Sequence, residues 1–183
     1  MSAGHGHGDH QGGNKGVALL ISVLALVLAF SETLGKGAQT NALALNIEAS
    51  NLWAFFQAKT IRQTVLRTAA EEVQASDKLT EPAKKQVEKW RDTAQRYQNE
   101  PETGEGRDQL AARAKEAEKK RDRSMAAYHH YEIASAAVQI AIVLASASII
   151  ASVAALVWVA GGLGVVGVVF CVIGFFFPTA VHF

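Results

Sequence analysis

The chain has 183 residues, of which 49% are hydrophobic, and it carries 18 Lys and Arg against 17 Asp and Glu, room for one modest domain besides any membrane segments. So even a balance offers no basic surface for nucleic acid, and the single cysteine, Cys171, excludes an internal disulfide. The charge is unevenly spread: 17 basic and 15 acidic residues fall between Lys36 and Glu132, whereas residues 133–181, 49 in all, contain no Asp, Glu, Lys, Arg or His. No soluble domain of this size could bury such a run, and at roughly 20 residues per crossing it is long enough to span a bilayer twice.

Residues 1–15 (MSAGHGHGDHQGGNK) are Gly-rich and polar, a composition expected to form a disordered tail. His5, His7, Asp9 and His10 within it are ligand types suited to Zn, Cu or Ni and make the one candidate metal site. A floppy segment with no supporting hydrogen bonds would bind weakly, and a solvated tail is the plainer reading. Residues 16–34 follow as a first transmembrane helix. Its apolar heart, residues 17–30, is about 21 Å of helix, and Glu32 falls near a headgroup layer. The same length suits a signal-peptide core. However, only Lys15 precedes it and no small-x-small cleavage pair follows, so the segment reads as retained.

Gly35 and Gly37 are expected to loosen the chain before a long amphipathic helix over residues 38–76, a stretch free of Pro and Gly. Leu52, Phe55, Leu66, Ala69 and Val73 fall on one three-four track, with Lys59 and Arg62 at its middle steps. Glu48 and Asn51 decorate the early part of this helix. With Gln139 further on, they are candidates for polar lumen or inter-helix contacts, against the simpler reading that they face water. Ser76-Asp77 reads as a stop. Thr80 is placed to cap a new helix over residues 82–99, with Pro82 in its first turn. Val87, Trp90, Ala94 and Tyr97 give that helix an a/d seam, and residues 100–106 (EPETGEG) are the clearest turn in the chain.

A third helix starts at Arg107. Leu110, Ala114, Ala117, Arg121, Ser124, Tyr128 and Tyr131 keep a four-three spacing, which makes the pair an antiparallel coiled-coil-like hairpin. No breaker follows, so one continuous helix is expected from about residue 107 to 159. Residues 107–130 would lie outside the membrane and residues 131–159 form the second transmembrane helix. Tyr131 and Trp158, 27 steps or about 40 Å apart, would mark its two interfaces. Ala160-Gly161-Gly162 then reads as the turn, residues 160–178 as the third transmembrane helix ended by Pro178, and residues 179–183 as a tail. Ala147, Ala151 and Ala155, Ser148 and Ser152, and Gly161, Gly164 and Gly167 would let helices approach closely, within one chain or between copies. His129 and His130 point about 100° apart on a helix, too divergent to chelate one ion well, and fit an interfacial anchor better.

The fold class is therefore an all-α membrane protein: three transmembrane helices, a long amphipathic helix and a helical hairpin. Arg113, Lys115, Lys119, Lys120, Arg121 and Arg123 precede the second crossing, while Lys15 alone marks the opposite side. Basic residues at crossing ends favour the cytoplasm. The central hairpin, residues 35–130, and the C-terminus are thus expected to be cytoplasmic and the N-terminus periplasmic, in a bacterial inner membrane.

Residues 44–67 (ALNIEASNLWAFFQAKTIRQTVLR), 100–122 (EPETGEGRDQLAARAKEAEKKRD) and 131–150 (YEIASAAVQIAIVLASASII) resemble a family of bacterial membrane proteins catalogued as domain of unknown function 4337. The resemblance covers about Lys15 to Phe177 and implies this same layout. It carries over no substrate, catalytic residue or cofactor. The residues themselves offer no nucleophile-base pair, phosphate loop or closed metal spacing. The leading expectation is a non-enzymatic inner-membrane protein that needs no cofactor. It would sit in the lipid bilayer as a homo-oligomeric scaffold or accessory subunit, with a larger membrane complex as a further partner. The alternatives are a channel or transporter subunit using Glu48, Asn51 and Gln139, and a metal-handling protein using the His tail. The absence of charge from the last two crossings weighs against ion-coupled transport. Titration of a peptide of residues 1–15 with Zn, Cu and Ni in a calorimeter checks the last alternative, which a dissociation constant weaker than about 1 mM would retire.

Overall fold

The computed structural model describes residues 10–76 and 79–180. Among them there are four helices and no strand: α1 His10–Gln74, α2 Glu81–Gln98, α3 Arg107–Ala151 and α4 Ala154–Phe176. Three of these are long and apolar enough to cross a membrane, the exception being α2. The chain divides into two compact units. Unit 1 takes the first part of α1 to Ala42 with α3 from Asp122 and all of α4; unit 2 is Leu43–Arg121.

One pattern organises α1. Among its described residues the buried ones are Leu24, Ser31, Gly35, Ala42, Ala49, Leu52, Lys59, Gln63 and Ala70, and every one lies on a track of alternating three- and four-residue steps. From Leu24 to Val73 the track covers 49 residues in 14 steps, 3.5 residues apart. That is the period that keeps one helix face turned to a neighbour along a left-handed crossing. The expected stripe was right at Leu52, Lys59, Leu66 and Val73. At the alternate steps Phe56, Gln63 and Ala70 lie on the track instead of Phe55, Arg62 and Ala69, one residue along.

The glycines after the first apolar segment do not loosen the helix. α1 runs unbroken through Gly35 and Gly37, because Gly35 sits on the buried track with its Cα side 3.4 Å, measured from an added Cβ, from Tyr131 Cβ. At Gly35 that contact offsets the roughly 1 kcal/mol that a mid-helix glycine costs.

The turn between the last two helices also lies elsewhere than expected. α3 ends at Ala151, Ser152 takes a left-handed conformation (φ 55°), extended Val153 caps α4, and Gly161 and Gly162 are helical. Trp158 consequently belongs to α4 and does not mark the far end of α3. The apolar part of α3, residues 133–151, is about 28 Å long, close to the hydrocarbon thickness of a bilayer. The glycines of α4 serve packing. Gly164 faces the Leu24 side chain, Gly167 faces Val138 with the Ala134 carbonyl oxygen 3.2 Å from an added Cβ, and Gly174 faces His130 and Tyr131. In an apolar helix, glycine on a contact face lets backbones approach.

Unit 1 is thus three helices around Leu24, Val138, Ala141, Ala145 and Ala160. The α3 stripe in this core is Ala134, Val138, Ala141, Ala145 and Ser148, whereas Ala151 and Ala155 are exposed. Most of the large side chains point outward, among them Leu26, Phe30, Val143, Ile150, Val165 and Phe175. An apolar exterior this extensive is foreign to a water-soluble monomer.

Unit 2 follows the expected cues closely. The Thr80 side chain caps α2 by accepting from the Ala83 N–H, and Pro82 sits in the first turn. Val87 and Ala94 are buried, with Trp90 and Tyr97 half-buried between and beyond them. Residues 100–106 turn the chain, helped by Gly104 at φ +69° and by Gly106, where an added Cβ would overlap the Gln109 side chain and the Glu100 backbone. α3 begins at Arg107, as expected, and Leu110, Ala114 and Ala117 are buried, Leu110 and Ala114 clustering with Leu52, Trp53 and Phe56.

Gly167→Val places a branched side chain against Val138 and the Ala134 carbonyl. The full chain in detergent should lose about 2 kcal/mol of unfolding free energy, whereas Gly162→Val, which meets nothing within 4 Å, should leave it nearly unchanged. Equal losses for the two variants would refute the close-packed α3–α4 face.

Candidate functional site

Two charged or amide side chains on the α1 track are buried in unit 2, and they organise its polar interior. Lys59 is 4% exposed and Gln63 2%. The Lys59 ammonium donates to Glu100 Oε2 at 3.2 Å, lies 3.7 Å from Glu105, and sits over the rings of Phe55 and Tyr97 at 5.2 and 5.6 Å. A buried ammonium requires such partners, because taking an unpaired charge out of water is prohibitive. Its proximity holds the Glu100 carboxyl below the usual carboxylate range, chiefly through the hydrogen bond from Lys59.

One helical turn on, Gln63 Nε2 donates to the Ala94 carbonyl at 2.8 Å and to Gln98 Oε1 at 3.3 Å, while Gln63 Oε1 accepts from Arg107 Nη1. Arg107 also donates to Gln98 Oε1 at 2.8 Å and stacks over Phe56 at 4.8 Å. Lys59, Gln63 and Arg107 therefore tie α1, α2, the 100–106 turn and the start of α3 together. The cluster holds two cations, carboxylates and amides, and the Thr103 hydroxyl joins it through a hydrogen bond to Glu100. Farther along, Trp53 Nε1 donates to Glu118 at 2.9 Å and Arg121 to Asn46 Oδ1 at 3.2 Å, again linking α1 to α3.

In unit 1 a groove of about 280 Å³ lies between α1 and α3, lined by Ser31, Glu32, Gly35, Lys36, Gln39, Tyr128, Tyr131, Glu132 and Ser135. Ser31 and Ser135 hydroxyls meet at 2.5 Å. At the same level, where α4 ends, His130 Nε2 lies 3.1 Å from the Pro178 carbonyl oxygen, and His129 pairs with Glu132 at 3.6 Å. His130 is buried and His129 exposed, as their angular separation requires.

The lumen candidates are dispersed. Glu48 is exposed beside a groove of about 360 Å³ with Arg113, Glu116 and Lys120; Asn51 is exposed; Gln139, in unit 1, donates to Glu32 at 3.4 Å. His5, His7 and Asp9 lie outside the described residues, and His10 is only the first residue of α1. Among the described residues, no three His, Cys, Asp or Glu side chains are grouped to hold a metal ion. The importance of Gln63 and Arg107 was missed from sequence. The available signal was the phase of the track, which a one-residue displacement sends to Arg62.

The helices and their polar links define a class of protein, an all-helical one with three helices long and apolar enough to span a bilayer. Comparison with known families narrows this: residues 13–177 match the model of DUF4337, a domain of unknown function, and the chain belongs to that family. No curated protein and no solved structure matches it.

Gln63→Leu leaves the Ala94 carbonyl and the Arg107 guanidinium short of a partner and should destabilise the protein by about 2 kcal/mol, measured by denaturant unfolding of the full chain. The Lys59–Glu100 pair has its own signature. Because the Glu100 pKa is lowered on folding, its contribution is present at neutral pH and disappears as pH falls through that lowered value. Melting temperatures should therefore drop on acidification, and less steeply in Glu100→Gln. Parallel pH profiles for the two proteins would refute the pairing.

Proposed function

We propose that this chain is a multi-pass protein of the bacterial inner membrane, without enzymatic activity, that serves as an oligomeric scaffold or accessory subunit. The observation that carries the reading is the contrast between the two units. Unit 1 turns its large apolar side chains outward, toward lipid, and packs internally on small residues. Unit 2 turns charge outward and holds its helices with Lys59, Gln63 and Arg107. In both, the buried polar groups link helices to one another, which suits a part that positions others.

Orientation follows from charge. With α1, α3 and α4 as crossings, the central block and the Pro178 end share one side. The basic residues of α3 before Ile133 favour the cytoplasm for that side. His130 meeting the Pro178 carbonyl agrees with the start of the α3 crossing and the end of the α4 crossing lying at one level.

Light scattering after size-exclusion chromatography in detergent should show a defined multimer of the full chain, and a strict monomer at high concentration would overturn the oligomeric reading. A cysteine introduced at Thr103, in the exposed turn, should react with a membrane-impermeant maleimide only after the inner membrane is opened. Labelling in intact spheroplasts would reverse the orientation.

A further inference from the structure

On the side of α1 away from its buried track, unit 2 exposes a second stripe. Leu43, Ile47, Ala54, Ala58, Ile61 and Val65 recur at steps of four, three or seven, so that their directions fall within roughly 40° of one line at 100° per residue. The four large ones are each 54% to 65% exposed. Every charged residue between Lys36 and Glu72, namely Glu48, Lys59, Arg62, Arg67 and Glu71, lies about 80° or more around the helix from that line. A charge-free stripe of about 33 Å on an otherwise charged unit is an interaction surface.

We infer that this stripe pairs with the same stripe of a second copy, the two α1 helices running parallel and in register. The inference rests on the membrane-spanning reading above and names the seam of the oligomer. Three observations select this occupant. The stripe is neutral, so its complement must be neutral too, and the outward faces of α2 and α3 in this unit carry Lys84, Glu88, Arg91, Arg113, Glu116 and Lys119. Lipid does not suit it, because Glu48, Arg62, Arg67 and Glu71 on the same stretch of helix and the charged faces of α2 and α3 make unit 2 a water-facing part. Finally, the stripe offers roughly 330 Å² if it is about 10 Å wide, short of the ~800 Å² per partner of a stable free complex. Copies inserted in one bilayer with one orientation meet at high effective concentration and already parallel, which compensates for a small surface. The small residues Ala54 and Ala58 at the middle of the stripe allow the helices to approach closely.

The stripe also reads nearly symmetrically about Ala54, with Leu43 against Val65 and Ile47 against Ile61. An antiparallel pair across two facing bilayers is therefore the rival arrangement, and the register test separates them. In the full chain carrying Cys171→Ser and reconstituted in phospholipid vesicles, Leu43→Cys and Val65→Cys should each form disulfide-linked dimers on mild oxidation. Their yield should be at least tenfold above that of Lys85→Cys on α2. Differently tagged Leu43→Cys and Val65→Cys proteins, mixed before reconstitution, should give no more hetero-dimer than the Lys85→Cys control. Ala54→Glu should abolish the Val65→Cys dimer, and a mixture of Ala54→Glu and Ala54→Lys copies should restore it. Hetero-dimer between positions 43 and 65 without homo-dimers would overturn the parallel seam. Background-level cross-linking of a chain that light scattering shows to be multimeric overturns the stripe as seam and leaves the oligomeric reading standing. A monomer overturns both.

Discussion

The constraint on which the rest depends is the 3.5-residue track along α1. A helix that buries one face over 14 steps must fill them with small residues, with apolar ones that fit a neighbour, or with polar ones that are fully partnered. Ser31, Gly35, Ala42 and Ala49 are the small solution; Lys59 and Gln63 are the partnered one. The change from one solution to the other follows the surroundings. Where the flanking faces are apolar and suited to lipid, little is gained by burying large side chains, and close backbone approach supplies the dispersion energy. Where they are charged and suited to water, a hydrophobic cluster of Leu52, Phe56, Leu110 and Ala114 takes over, and α2 adds its own buried pair, Val87 and Ala94.

The same physics explains how the buried polar side chains are used. A long Lys or Gln on a contact face would open a gap between helices unless its end found partners. Lys59 reaches out of the helix interface to the acidic turn at Glu100 and Glu105, and Gln63 reaches a backbone carbonyl of α2 and the guanidinium that opens α3. These residues fix which part of α1 faces which turn. A purely apolar seam with a repeating step could slide by one heptad at small cost, whereas Lys59 displaced by seven residues would lose its carboxylates. Register specificity is the best-attested use of buried polar groups on such seams.

Legibility in the sequence divided along one line. Features that act locally were readable: Thr80 and Pro82 at the start of α2, the 100–106 turn, the onset of α3 at Arg107, and the alternation of Val87, Trp90, Ala94 and Tyr97. Features that depend on what a residue packs against were misread. Gly161 and Gly162 resemble a turn to any local rule. In an apolar helix, though, the glycines at 164, 167 and 174 are contact points, and the break falls nine residues before that pair, at Ser152 and Val153, with no Gly or Pro to announce it. Phe55 and Phe56 are chemically identical neighbours, so hydrophobicity alone could not say which lies on the track. The phase had to be read from Ala49, Ala70 and the small residues upstream. The polar cluster was half visible, since Lys59 was on the expected track and Gln63 was one step off it.

α1 has two apolar faces in unit 2, and they differ in kind. The inner one is interrupted by Lys59 and Gln63, whose partners sit in the same chain, so it is committed to α2 and α3. The outer one is charge-free, made of aliphatic residues and alanines with the Ser50 hydroxyl beside them, and holds no charged group that demands a counter-ion. Inner-face substitutions must keep donor and acceptor geometry, while outer-face substitutions need only keep neutrality and size. The outer face can therefore change its affinity for a like face gradually, through single aliphatic exchanges, without disturbing the fold. That arrangement separates the determinants of folding from those of association along a single helix. On the proposed seam, assembly strength would be set by the outer stripe and by copy density, while unit 2 keeps its internal register.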